Sequence, residues 1–78
     1  MKLPGDVSAS RLIRVLEHLG YQVLRQRGSH IRLRHDGPPQ HSVSVPNHDP
    51  LKKGTLHGIV SEVARARSML LEDLIGQL

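Results

Sequence analysis

The sequence predicts an α+β fold in the order α-β-β-β-α, a three-stranded antiparallel sheet with both helices on one of its faces. Two segments repeat apolar residues at helical spacing, and the three segments between them read as strands separated by strong turn signals. Two helices and three strands have one economical packing, with the apolar helix stripes against one sheet face. The 78 residues predict a single domain over 1–78, its core at about 8–67, followed by a short apolar and acidic helical tail over 68–78.

The first helix is read from Leu12, Val15, Leu16 and Leu19, which fall at i, i+3, i+4 and i+7. Ser8 or Ser10 can cap its start, and Gly20 suits a left-handed stop. Tyr21 to Arg27 is strand-like, although adjacent Val23 and Leu24 blur its alternation. After Gly28-Ser29, the run His30 to Arg34 alternates cleanly, and His41 to Pro46 does so again beyond the turn Asp36-Gly37-Pro38-Pro39. The alternation turns Ile31, Leu33, Val43 and Val45 toward the helices. His30, Arg32, Arg34, Ser42 and Ser44 then share the open face. The second helix is expected to open near Thr55, with its hydroxyl as N-cap, and to bury Leu56, Ile59, Val60, Val63 and Ala64. In the tail, Leu70, Leu71, Leu74, Ile75 and Leu78 are at mostly helical spacing, either completing the core or offering an apolar ridge.

Composition narrows the function. The chain has no cysteine, which excludes a disulfide scaffold and a thiolate zinc site. It shows no membrane span and no signal-peptide pattern, so a soluble, cytoplasmic location is expected. Eleven Lys and Arg against seven Asp and Glu give a net charge of +4. The excess is local: residues 1–35 carry seven basic and two acidic side chains, and residues 36–78 carry four and five. An anionic partner is the functional reading of such a patch. Tyr21 is the sole aromatic, so base stacking is nearly excluded and a nucleic acid would be held through phosphate and shape.

Two groups of residues could carry chemistry. His30 follows Gly28-Ser29 at a strand start, beside Arg32. An imidazole, with an ordinary pKa of about 6.5, can give or take a proton, and neighbouring arginines can hold a phosphate. That combination suits RNA transesterification, which needs a base for the 2′-hydroxyl or an acid for the leaving oxygen, and cations for the phosphorane. Lys52-Lys53-Gly54-Thr55 stands just before the second helix, where lysines and the free N–H groups of the helix end can clamp a phosphate. The element order is that of double-stranded-RNA-binding domains, which use lysines at this helix end in the same way. Of the other histidines, His18 sits near a helix C-terminus, His57 lies on the polar side of the second helix, and His35 and His41 read as solvated turn residues. Neither His-x-His nor His-Glu-x-x-His occurs, and no metal or other cofactor is expected.

Four stretches together resemble the HicA (YcfA-like) toxins of bacterial type II toxin–antitoxin systems. They are the first helix ending in Leu19-Gly20-Tyr21, then Val23 to His30 with Arg-Gln-Arg-Gly-Ser-His, then Val43 to His48, then Leu51-Lys52-Lys53-Gly54-Thr55-Leu56. The resemblance spans about residues 8–63. It implies a double-stranded-RNA-binding-like fold, a ribosome-independent mRNA endonuclease whose active histidine is here His30, and a HicB-type antitoxin that covers the RNA face. A homo-oligomer is expected only through the antitoxin complex. Arg65 and Arg67 stand where members of the family often carry a glycine-containing turn.

The resulting expectation is a metal-independent endoribonuclease with His30 as general acid or base. Arg25, Arg27, Arg32, Arg34, Lys52 and Lys53 are the candidate phosphate holders, with Gly28, Ser29, His48 and Thr55 in support. Whether His48 assists in proton transfer is left open. The alternatives are a non-catalytic RNA-binding module using the same basic face and an adaptor that docks an acidic protein.

Overall fold

A computed structural model describes residues 3–78. It contains α1 (Ala9–His18), β1 (Gln22–Arg27), β2 (His30–His35), β3 (His41–Pro46), α2 (Lys53–Ala66) and α3 (Leu71–Ile75). The strands form one antiparallel sheet in the order β1-β2-β3. Leu12, Val15 and Leu16 of α1 and Leu56, Ile59, Val60, Val63 and Ala64 of α2 are buried with Ile31, Leu33, Val43 and Val45 of the sheet. The α+β order, with both helices on one face, is therefore the observed architecture.

Both long helices end in the same backbone motif. At α1, Tyr21 N–H donates to the Leu16 carbonyl (3.0 Å) and Gly20 N–H to that of Glu17 (3.0 Å). At α2, Met69 N–H donates to Ala64 (2.9 Å) and Ser68 N–H to Arg65 (3.3 Å). This paired pattern requires a left-handed residue just past the helix, and the two positions have φ +103° at Gly20 and φ +53° at Ser68. Glycine takes that conformation freely, whereas a side chain costs roughly 1–2 kcal/mol there. Ser68→Gly is thus expected to stabilise the fold by about 0.5–1 kcal/mol after the extra entropy of the unfolded glycine is deducted. Urea unfolding measures this, and an unchanged or lowered midpoint would mean that the serine side chain offsets the conformational cost.

Several expectations are refined or corrected. The N-cap of α1 is Ser8, whose Oγ accepts from Arg11 N–H at 3.1 Å. Helix α2 opens earlier than the sequence suggested: Lys52 is its N-cap without a side-chain hydrogen bond, and Thr55 lies inside the first turn. The threonine is half-buried beside Leu56 and does not cap. The tail packs inward through Leu74 and Ile75, leaving Leu70 exposed, so it completes the core. Val7 and Leu51, outside every periodic segment, are also buried, tied together by Leu51 N–H donating to the Val7 carbonyl at 2.8 Å.

β1 lies at the sheet edge with all six of its residues exposed. Its register against β2 shifts between Val23, opposite Leu33, and Arg25, opposite Arg32. Leu24 is the extra residue of a β-bulge. Because paired residues share a face, Val23 points to the helix side with Leu33, while Arg25 and Arg27 point to the open side with Arg32 and His30. A regular strand could not satisfy both. The blurred alternation at Val23-Leu24 was the trace of this bulge.

Candidate active site

The β1–β2 connection is the two-residue loop Gly28-Ser29, with Gly28 at φ +59°. A Cβ at Gly28 would meet nothing within 4 Å, so the backbone conformation alone calls for glycine. The loop is fastened from the far strand by Asn47 N–H, which donates to the Ser29 carbonyl at 2.6 Å. His30 is then held in the ladder between Arg27 on one side and Pro46 on the other, with its side chain exposed. The next row of the same face is Arg25, Arg32 and Ser44, one residue from each strand.

These rows surround an open cavity of about 240 Å³ lined by Arg25, Arg27, His30, Arg32 and Ser44. Among the described residues, Arg25, Arg27 and Arg32 have no carboxylate partner, since the ion pairs present are Arg34–Asp36 and His41–Glu62. Three guanidinium groups with no counter-charge beside one imidazole favour an anion between them. Arg25 and Arg32 are directly opposed, and a like-charged cross-strand pair is unfavourable until an anion bridges it.

Of the sequence-predicted residues, the structure gathers His30, Arg25, Arg27 and Arg32 in the cavity, with Gly28 and Ser29 forming its turn. Arg34 lies on the same face but is engaged by Asp36 at 3.0 Å and does not line the cavity. Lys52, Lys53, His48 and Thr55 do not line it either. They belong to the same end of the molecule, because β3 finishes opposite His30 and the chain then runs through His48 to α2. His48 is exposed, and its carbonyl accepts from Ala9 N–H at 2.9 Å, which brings the start of α1 to this end as well. Ser44 is the lining residue that received no role from the sequence. Its position opposite Arg32 in the meander was the available signal.

The other end of the sheet corrects the reading of His35 and His41 as solvated. His41 Nδ1 accepts from the Tyr21 hydroxyl at 2.7 Å, and its Nε2 lies 3.2 Å from Glu62 Oε1. His35 Nδ1 accepts from Gly37 N–H at 2.8 Å and its Nε2 donates to the Leu19 carbonyl at 3.1 Å. Arg67 completes the cluster, donating to His35 and to the Pro39 carbonyl. These are architectural contacts, joining the β2–β3 turn to the ends of α1 and α2. No three His, Asp or Glu side chains gather as a metal-ligand set among the described residues, and no described helix is long and apolar enough to cross a membrane.

Fold and site together define a small α-β-β-β-α domain of the double-stranded-RNA-binding type, with a cationic cavity built around a histidine on its open sheet face. The family model described as "HicA toxin of bacterial toxin-antitoxin" matches residues 9–66, which take in every strand and both long helices. The chain belongs to this toxin family, a family that is usually an RNase and works against an antitoxin partner. No curated protein and no solved structure matches it.

Proposed function

We propose that this chain is the mRNA-cleaving toxin of a toxin–antitoxin pair, with His30 as its general acid or base and no requirement for a metal ion. The observation that carries the reading is the cavity in which His30 stands among Arg25, Arg27 and Arg32, none of them paired with a carboxylate among the described residues. In the reaction, the RNA 2′-oxygen attacks the adjacent phosphorus, the O2′–P bond forms and the P–O5′ bond breaks. His30 either takes the 2′-hydroxyl proton or gives a proton to the departing 5′-oxygen. The arginines hold the non-bridging oxygens as negative charge builds on them. Lys52 and Lys53 grip flanking phosphates at the same end of the molecule, and Arg34 does so when released from Asp36. A HicB-type antitoxin silences the toxin by covering this face in the cytoplasm, and copies of the toxin associate only through that complex.

The test is incubation of the purified chain with RNA and with its all-DNA analogue, both in excess EDTA. RNA should be cut and the DNA left intact, because DNA lacks the attacking hydroxyl. RNA that is bound but uncut would favour the non-catalytic RNA-binding module. DNA cut as fast as RNA would overturn the 2′-hydroxyl mechanism.

A further inference from the structure

The cavity contains a residue that the histidine-and-arginine description does not use. Ser44 is on β3, directly opposite Arg32, and Arg32 Nη1 donates to Ser44 Oγ at 3.1 Å. Arg32 is itself opposite Arg25 on the other side. The geometry points to Ser44 as a positioning residue for Arg32, making Arg25, Arg32 and Ser44 a seat for one phosphodiester across all three strands. The identity of the anion as an RNA phosphodiester rests on the reading above.

The physical case begins with the exposure of Arg32. An exposed arginine carries large rotamer freedom, and the like charge of Arg25 beside it repels its guanidinium. The hydrogen bond to Ser44 opposes both effects by fixing one Nη on the sheet, and the remaining N–H groups of the planar fork then keep a defined direction. Ser44 accepts through Oγ and retains its own O–H, so the seat offers one more donor to a bound oxygen. Ordering these groups beforehand reduces what the ligand must supply on binding. The neighbouring serine shows the contrast: Ser42 is opposite Arg34, but that guanidinium is turned to Asp36 at 3.0 Å. The two serines stand in equivalent positions, and the one at the cavity holds its arginine.

The experiment is a double-mutant cycle read by binding of a short 2′-O-methyl RNA oligonucleotide, which a 2′-hydroxyl mechanism cannot cut. Ser44→Ala is expected to weaken binding about three-fold to ten-fold, the net range of one ordinary hydrogen bond. Ser44→Thr, which keeps the hydroxyl on a strand-favouring side chain, should restore most of the loss. In an Arg32→Ala background, Ser44→Ala should have almost no further effect, and Ser42→Ala should leave binding unchanged in either background. Wild-type affinity in Ser44→Ala, or an undiminished loss in the Arg32→Ala background, would overturn the assignment. A wild-type chain that does not bind the oligonucleotide overturns the phosphodiester seat outright. Failure of the wild type to cut ordinary RNA, with the binding cycle behaving as expected, would instead remove the nuclease reading and leave Ser44 in its role.

Discussion

His30→Ala is expected to lower RNA cleavage by about 10²–10⁴-fold, the usual contribution of one general acid or base. RNA affinity and melting temperature should stay close to wild type. The separation follows from the way His30 is held. Its place in the sheet comes from backbone pairing with Arg27 and Pro46, its side chain is exposed, and among the described residues no hydrogen bond uses the imidazole. An exposed substitution of this kind usually changes stability by no more than about 0.5 kcal/mol. The arginines remain in place to bind phosphate. Gel-based cleavage assays beside oligonucleotide binding and thermal melts make the comparison, and an equally active His30→Ala variant would remove the histidine from the mechanism.

Tyr21→Ala is expected to have the largest effect on folding, with a loss of about 3–5 kcal/mol. A domain of this size has a total stability of only about 4–12 kcal/mol, so the variant should be largely unfolded when warmed. Tyr21 is the sole aromatic residue and is 2% exposed. Its ring meets His35 edge-on at 5.1 Å and His41 at 5.9 Å, with the Arg67 guanidinium 5.9 Å from its centre. Tyr21→Phe isolates the hydroxyl and should cost about 1 kcal/mol, because His41 Nδ1 loses its 2.7 Å partner. Burial pushes the phenol pKa above its usual value of 10.0, the nearby Arg67 charge partly opposing it. A raised folded-state pKa means that this part of the stability is fully present below about pH 10 and is lost as pH rises beyond it. Wild type should therefore lose melting temperature more steeply in alkali than Tyr21→Phe. Matched melting curves at rising pH test this, and identical slopes for the two proteins would overturn it.

The parts of the fold that were legible in the sequence were those governed by local repeats. The helical spacing of Leu12, Val15, Leu16 and Leu19 located α1, and the alternation through His30 to Arg34 assigned both faces of β2 correctly. His30 and Arg32 were thus placed on the open face by counting alone. Other features depend on partners remote in the chain. His41 is paired with Glu62, 21 residues away, and His35 with Arg67, 32 residues away, and neither pairing leaves a local pattern. The start of α2 lies ahead of the expected position because the local signal is the hydroxyl of Thr55, whereas the observed N-cap, Lys52, has no side-chain bond. Alternation gives Ser44 its face but no role, since a serine acquires one here only through the arginine across from it.

The bulge at Leu24 gives β1 two reading frames. Before it, Val23 is written in the frame of the core; after it, Arg25 and Arg27 are written in the frame of the ligand. Removing Leu24 would join the frames without turning any of these side chains over, since the residue has no partner on β2. Removing Gln26 would turn Arg25 from the open face to the helix side. Length at one position of this strand is free to drift, while two residues further on it is fixed by the arithmetic of alternation.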